Sequence, residues 1–296
     1  MKNKILVTWL VLSVAAGFIA CVSVQYNPES DFYVVVNSDG KSVTITGYKG
    51  TGPTVNIPPV INRMPVTVIG ESSFKDCTGL TSVTIPDSVL RIADWAFAGC
   101  TGLTDITIGS GLINIGDFAF AGCTSLTSVT IPGSVWRVGN YVFKDCTGLT
   151  SITIPDSVTA IGDGAFTGCR NLTSVTIGNN VTEIGELAFN YCDGLTSITI
   201  GNGVTEIGGF MFYYCTRLTD VTIGSSVTFI GDGAFTNCDS LTCVTVLATT
   251  PPALENVKIF GETPSALRIE VPAASVEAYR TAEGWSAFSG RISAIR

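Results

Sequence analysis

The sequence contains no histidine in its 296 residues. This absence excludes Ser-His-Asp triads, imidazole metal ligands and histidine proton relays. Basic residues are also scarce, since 16 Lys and Arg stand against 24 Asp and Glu, for a net charge of −8. Nucleic-acid binding requires clustered cations, and the few cations of this chain are scattered, so the composition disfavours that class of protein. Charged residues make up 14% and apolar residues 46% of the chain, which indicates a globular rather than a disordered protein.

The N-terminus has the pattern of an export signal. Lys2 and Lys4 precede an apolar run over residues 5–20, which is short for a membrane-spanning helix. The run ends in Ala20-Cys21, which is similar to a bacterial lipobox, where the cysteine is acylated. We expect a signal peptide over residues 1–21, a linker over residues 22–30, and a protein at the cell surface or outer membrane that contacts the membrane only through a lipid on Cys21. Because Phe18 replaces the usual leucine, cleavage without lipid attachment is the alternative.

Eight cysteines recur at intervals of 23 residues without insertion or deletion. The units that contain them read approximately I-G-D-x-A-F-x-x-C-x-x-L-T-S-V-T-I-P-x-S-V-T-x and occupy residues 69–252. Such a period predicts a solenoid with one coil per unit, and a single coil buries too little apolar surface to offset its loss of chain entropy. The cysteines are Cys77, Cys100, Cys123, Cys146, Cys169, Cys192, Cys215 and Cys238.

The unit 161–183 illustrates the predicted course of one coil. Its T-S-V-T-I run predicts a strand with Val175 and Ile177 facing inward and the Thr and Ser side chains facing outward. Residues 181–184 predict a second short strand. Asp163 and its counterparts precede an Ala-Phe pair, which predicts the N-cap of one helical turn, with a cation-binding row of carboxylates as the alternative.

The segments on either side of the repeats predict caps. Two alternating runs within residues 31–68 predict an N-terminal β-hairpin. Residues 253–296 predict a C-terminal cap made of strands and a short helix. Residues 248–264, which include two adjacent prolines, are the longest irregular stretch and are expected to be the most mobile segment.

The eight spaced cysteines are expected to form a ladder of buried free thiols. Nine cysteines follow Cys21, and an odd number cannot pair completely. Side chains in a parallel ladder point alongside one another, although a spacing of about 4.8 Å permits a disulfide. Cys238 and Cys243 are the pair expected to form a disulfide if any pair does. Metal binding lacks paired C-x-x-C spacing, so no metal, cofactor or catalytic residue is expected.

Two rows of side chains are candidate binding surfaces. The outward Thr row ends with Cys243 and Thr245. It is a binding surface for a protein or a glycan, or it reflects only the preference of Thr for strands. Similar flat Thr arrays also occur in ice-binding proteins. An aromatic row, three residues after each opening Ile, either contacts a partner or packs on the adjacent turn. The candidate partner-binding residues are Asp105, Thr107, Ser128, Thr130, Ser151, Thr153, Trp95, Phe118 and Tyr141, and the further candidate exposed aromatics are Trp136, Tyr191, Tyr213 and Tyr214.

The repeat unit resembles the 23-residue leucine-rich repeat of the BspA-like family, also called the Treponema pallidum type, from residue 31 to residue 296. The segment VPAASVEAYRTAEGWSAF is similar to the closing segment of such proteins from Bacteroides. The resemblance implies a right-handed leucine-rich-repeat solenoid and a non-catalytic surface protein that binds host matrix proteins or other bacteria. A glycan-binding protein and an architectural rod are the alternatives. We expect a monomer.

Overall fold

The computed structural model describes residues 25–295, so Cys21 and the predicted signal peptide lie outside the described residues. The described chain is a parallel-strand solenoid with about 23 residues per turn, as predicted, and it has about eleven turns. Each turn has three sides, two of which carry strands. The strands are β1 (Phe32–Val36), β2 (Val43–Tyr48), β3 (Thr54–Asn56), β4 (Val60–Ile61), β5 (Met64–Ile69), β6 (Ser82–Ile85), β7 (Arg91–Ile92), β8 (Asp105–Ile108), β9 (Asn114–Ile115), β10 (Arg137–Val138), β11 (Ser151–Thr153), β12 (Ala160–Ile161), β13 (Ser174–Thr176), β14 (Glu183–Ile184), β15 (Ser197–Ile200), β16 (Glu206–Ile207), β17 (Asp220–Ile223), β18 (Phe229–Ile230), β19 (Cys243–Val246), β20 (Ala253–Leu254), β21 (Arg268–Val271) and β22 (Ile292–Ala294).

Helices are few and lie outside the eight repeats. None of those in the described part of the chain is long and apolar enough to cross a membrane. The α-helix and one strand of the predicted C-terminal cap pack together at the end of the solenoid. The helices are α1 (Val276–Thr281) and the short 3-10 helices Glu29–Asp31, Val257–Phe260, Ala273–Ser275 and Trp285–Arg291.

One side of the solenoid, which we call the threonine face, consists of the longer strands and their outward Thr side chains, from Thr84 to Thr245. These strands form three separate parallel sheets, with the orders β3-β6-β8, β11-β13 and β15-β17-β19-β21-β22. Residues 128–131 form no strand and join the next coil through the single bridge between Thr130 and Thr153. The threonine face is therefore interrupted twice along its length.

The second side, the short-strand face, consists of the two-residue strands between repeats and the sheets that they form. One sheet has the order β1-β2-β5-β7-β9-β10-β12-β14, with β4 beside β5, and another has the order β16-β18-β20. The antiparallel pair β1–β2 forms the predicted N-terminal hairpin. A glycine follows most of these strands because the coils approach closely there: a Cβ at Gly116 would lie 2.7 Å from the amide nitrogen of Asp94.

The third side, the turn face, extends from the opening Ile to the Cys of each unit, and it consists of tight turns. Within a coil, the Ala98 amide donates to the Trp95 carbonyl at 3.0 Å. The intervening Phe97 amide instead donates to the carbonyl of Ala119 in the next coil at 2.8 Å. An α-helix would direct every amide four residues back along its own chain. The alternation therefore replaces the predicted helical turn with a third inter-coil ladder, which continues through all eight units.

Three of the acidic residues that were predicted to cap helical turns, Asp94, Asp117 and Asp163, bind the next coil instead. The Asp117 carboxylate accepts a hydrogen bond from the Asn140 amide at 2.8 Å, and the Asn140 side-chain oxygen accepts one from the Asp163 amide at 2.9 Å. The N-cap prediction is wrong because no helix follows these residues. Asn140 can replace an acidic residue because its amide oxygen accepts in the same way. Within residues 25–295, no three Cys, Asp or Glu side chains gather as a metal site.

A column of stacked phenylalanines passes through the core. Each ring is fully buried, and neighbouring ring centroids lie 4.9–5.7 Å apart at interplanar angles of 4–17°. The rings of the column are Phe74, Phe97, Phe120, Phe143, Phe166, Phe189, Phe212 and Phe235.

The core column continues beyond the eight repeats. Tyr48 stacks on Phe74 at 5.4 Å, and Phe260 stacks on Phe235 at 5.4 Å. Within residues 248–264, strand β20 pairs with β18, and both Ile259 and Phe260 are buried. The expectation of an irregular segment is wrong because these residues form a further coil, whose two prolines and altered spacing conceal the repeat.

The spaced cysteines form a second core column beside the phenylalanines. Seven are buried, Cys77 is half-buried at the end of the column, and all nine described cysteines are free thiols. From Cys100 onward, each thiol donates to the carbonyl of the phenylalanine 26 residues earlier, at 3.1–3.3 Å. Burial raises the pKa of Cys238 to about 12 and is the main cause of the raised pKa at Cys100, Cys146, Cys169, Cys192 and Cys215. At Cys123, a hydrogen bond with the Cys146 thiol raises the pKa more than burial does.

Candidate functional site

The aromatic row of the turn face is a continuous stack. The Trp95 and Phe118 ring centroids lie 4.1 Å apart, and those of Phe118 and Tyr141 lie 4.9 Å apart. The Lys75 ammonium lies 5.2 Å from the centroid of Trp95. At the other end, the Tyr141 ring packs against Gly164, where a Cβ would overlap the ring. The rings cover one another's faces, so the stack presents mainly their edges to solvent.

The three stacked aromatics have an unusual backbone conformation. Trp95, Phe118 and Tyr141 have φ values of 59°, 56° and 53°, which lie in the left-handed region. For an L-residue this region costs about 1–2 kcal/mol. Gly164 and Gly233 occupy the same position in later units, with φ values of 55° and 60°. Ser72, Leu187 and Phe210 at this position also have positive φ values, so the left-handed backbone is a feature of every repeat. The two glycines in this column were the available sequence signal for the geometry.

A second aromatic group, the tyrosine cluster, lies further along the turn face and consists of Tyr191, Phe210, Tyr213 and Tyr214. Tyr191 stacks on Tyr214 with the centroids 5.1 Å apart, and the Tyr213 ring meets Tyr214 edge-on at 4.6 Å. Phe210 and Tyr214 are exposed. The turn face therefore presents two groups of aromatic side chains on one continuous ladder of hydrogen bonds.

The threonine face places its candidate residues at the surface but not on one flat sheet. A cavity of about 320 Å³ lies at its first interruption, between residues 128–131 and β11. Cys243, which was expected to face outward, is buried, with its sulfur 3.9 Å from the Thr245 hydroxyl. Its register partners Asp220 and Arg268 flank it on both sides and shield it. The exposed candidates are Asp105, Thr107, Ser128, Thr130, Ser151 and Thr153.

A groove of about 750 Å³ lies on the short-strand face and was not predicted. Trp136 and Arg137 line one end, and Glu183 and Glu206 line the other. Ala160 lies between them, and its register partners in the adjacent coils are the longer side chains of Arg137 and Glu183. This contrast between Ala160 and its two neighbours was the sequence signal for the groove.

The groove extends to a place where neighbouring coils separate. Within the described chain, no backbone hydrogen bond joins residues 173–185 to residues 196–208. The turn face stays closed there, since the Phe189 amide donates to the Met211 carbonyl at 3.0 Å. Val175 and Ile177, which were expected to be buried, are half-exposed beside this opening. The solenoid is thus opened on its two strand sides and held together on its turn face.

The comparisons with known proteins agree with the repeat architecture. The family model described as the BspA type leucine rich repeat region matches residues 56–161 and 137–251, with six copies. A search of the curated proteins finds no match.

Solved structures with the same architecture come from several bacteria. The leucine-rich repeat protein of Treponema pallidum is 29% identical over 73% of this chain and 91% of its own, with a TM-score of 0.57. A leucine-rich repeat protein of Eubacterium ventriosum is 25% identical over 84% and 79%, with a TM-score of 0.50. A leucine rich cell surface protein of Faecalibacterium prausnitzii, 24% identical over 86% and 90% with a TM-score of 0.50, shares the fold. Because the family model matches more than half of the chain, this protein belongs to the BspA-type leucine-rich-repeat family.

Proposed function

We propose that the protein is exported, is attached to the cell surface through a lipid on Cys21, and binds an extracellular protein without catalysis. The charged and apolar pattern of residues 1–21 supports export. Membership of a repeat family whose structural relatives include a cell surface protein supports the location. The partner is a host matrix protein or a surface protein of another bacterium.

The observation that carries the binding proposal is the unbroken hydrogen-bond ladder of the turn face, which holds the aromatic row and the tyrosine cluster. Trp and Tyr side chains contribute a large share of the binding energy in protein interfaces. Since the ladder and the ring stacking already order these side chains, little conformational entropy is lost on binding. Lys75 and Arg170 lie over the rings of Trp95 and Tyr191 and add donors at the edges of the surface.

The threonine face supports the proposal less well. Its sheets are interrupted beside residues 128–131 and again between β13 and β15. A partner that docks through many short hydroxyl contacts requires a continuous array, and these interruptions divide the face into three sheets. The threonine face is therefore a suitable control surface.

Substitution of Trp95 or Tyr214 by Ala is expected to weaken binding to a matrix or bacterial surface protein by about 30-fold, which corresponds to a loss of about 2 kcal/mol for an interface hot spot. The measurement is surface plasmon resonance of the mature protein against a panel of purified matrix and bacterial surface proteins. The matched control is the triple variant Thr107→Lys, Thr130→Lys and Thr153→Lys, which is expected to bind normally. Circular dichroism verifies that each variant is folded. An absence of binding to the whole panel would support the architectural rod, and loss in the Thr variant alone would place the contact on the threonine face.

The native protein is expected to begin at an acylated Cys21. Mass spectrometry of the N-terminal peptide from protein purified out of its own bacterium checks this expectation, and Cys21→Ser is expected to release the protein into the soluble fraction. A mature N-terminus at an unmodified residue after Cys21 would contradict lipid attachment and leave export by ordinary signal cleavage.

A further inference from the structure

We propose that the groove beside Trp136 binds a neutral oligosaccharide. This site lies on the short-strand face, at a distance along the coil from the exposed aromatics of the turn face, so it is independent of the protein-binding surface proposed above.

Trp136 presents an open aromatic ring at one end of the groove. Its side chain is 48% exposed, and its neighbours in the same column are Ile113 and Thr159. Within residues 25–295 no second ring or cation stacks on this indole, in contrast to Trp95, which Phe118 covers on one face and Lys75 approaches. A flat apolar ring surrounded by polar groups fits the apolar face of a sugar ring.

The rest of the groove supplies unpaired polar groups. The side chains of Arg137, Glu183 and Glu206 are exposed, and they form no hydrogen bond or ion pair with another described residue. Asn140 and Asp163 line the far edge, where their side-chain oxygens already accept inter-coil hydrogen bonds. Carboxylates accept and a guanidinium donates hydrogen bonds, whereas each sugar hydroxyl does both. A mixture of donors and acceptors beside an indole therefore suits a polyhydroxylated ligand.

The charges of the groove select a neutral ligand. Asp163, Glu183 and Glu206 exceed the single cation Arg137, so sulfated or sialylated glycans are repelled. The carboxylates would also attract a basic peptide. Such a peptide would bind best with one of its own cationic side chains over the Trp136 indole. Arg137, adjacent to Trp136 in the chain, opposes a second cation there. A neutral oligosaccharide is repelled neither by the carboxylates nor by Arg137.

The size of the groove agrees with a short sugar chain. It extends across four coils, and its three hydrogen-bonded strands β10, β12 and β14 alone span about 10 Å, as two strand spacings of about 4.8 Å. The fourth strand, β16, lies beyond the place where the coils separate. Its volume of about 750 Å³ lies within the range of about 300–1,000 Å³ that is typical of small-molecule sites. Ala160 and Gly162 form the floor, and the absence of long side chains there leaves room for the ligand.

The test fills the groove with residues that the repeat already accepts. Ala160→Arg and Ala160→Glu introduce the side chains found at Arg137 and Glu183, the register neighbours of Ala160, so the fold is expected to tolerate both. Wild-type protein is screened on an array of neutral gluco-, galacto-, manno- and N-acetylglucosamine oligosaccharides, with heparin and Lys-rich peptides as competing probes. We expect binding to a neutral oligosaccharide that falls at least tenfold in both filled variants and in Trp136→Ala.

The matched control is Ile113→Ala, one coil earlier in the same column and 42% exposed, which is expected to retain binding. The two filled variants separate the ligand classes, because Ala160→Glu would strengthen binding of a Lys-rich peptide, whereas both variants exclude a sugar. The proposal is overturned if the wild-type protein binds no neutral oligosaccharide, or if it binds only heparin or the peptides. It is also overturned if Ala160→Arg and Ala160→Glu bind the neutral oligosaccharide as well as the wild-type protein does.

Discussion

The protein is expected to lose stability steeply above about pH 9, although it is fully stable near neutral pH. The cause is the cysteine column, in which seven thiols are buried. Their pKa values are raised in the folded state, so folding requires each thiol to keep its proton. A group of this kind contributes its full stability below its unfolded pKa of about 8.5, and loses that contribution as the pH rises toward its folded pKa. For Cys238, whose folded pKa is about 12, the window therefore runs from about pH 8.5 to pH 12.

The expected effect is large because the thiols act together. A buried thiol removes about 1.4 kcal/mol of unfolding free energy per pH unit between its unfolded and its folded pKa. Seven thiols that titrate together remove on the order of 10 kcal/mol per pH unit, which is comparable with the whole stability of a typical domain. The measurement is urea unfolding at pH 8, 9 and 10 under reducing conditions.

A variant with fewer buried thiols provides the control. Cys146→Ala combined with Cys169→Ala is expected to lower stability at pH 8 but to reduce the dependence on pH, because two titrating groups are absent. If wild type and the double variant lose stability equally per pH unit, the buried thiols are not the source of the alkaline transition.

Phe143→Ala is expected to destabilise the protein by about 3–5 kcal/mol, the usual range for removing a buried phenylalanine. Phe143 is fully buried, and its ring centroid lies 5.6 Å from that of Phe120 and 5.5 Å from that of Phe166. A coil of the solenoid is supported only by its neighbours, so a cavity in the middle of the column weakens two interfaces at once. Urea denaturation followed by circular dichroism gives the free energy of unfolding.

The control for this substitution is Trp136→Ala, at the end of the preceding unit of the repeat. Trp136 is a large aromatic but is about half exposed, and its removal leaves no cavity in the core. We expect a loss below about 1 kcal/mol, as for other surface changes. Equal losses in the two variants would contradict a phenylalanine column that holds the coils together.

The architecture could be predicted from the sequence because one period organises it. The 23-residue spacing of the cysteines requires equivalent residues to stack, and the T-S-V-T-I run then places a strand in each coil. The N-terminal hairpin followed from two alternating runs around a short polar turn, and it lies where it was predicted, as β1 and β2. These features depend on local patterns that are repeated or bounded by clear turn residues.

The turn face could not be predicted in the same way. A carboxylate before an Ala-Phe pair has the same local sequence pattern as a helix N-cap. Whether that carboxylate caps a helix or accepts a hydrogen bond from the next coil depends on tertiary structure. The glycines at positions 164 and 233 pointed to a left-handed backbone, but the aromatics in the same column concealed that signal. The groove was missed because it depends on the contrast between Ala160 and its neighbours in adjacent coils, rather than on any motif along the chain.

The three inter-coil ladders have a consequence for how this gene can change. Every coil exchanges hydrogen bonds only with the coils before and after it, and within the eight repeats the strand ladders keep a 23-residue offset. Unequal recombination that duplicates or deletes one whole unit would preserve every ladder and change the rod by about 4.8 Å. Within the eight repeats, insertion of a single residue would shift the strands that follow it by one position, so natural variants of this protein are expected to differ there by whole repeats. The last coil differs, because β20 and β21 pair with the preceding strands although extra residues separate them.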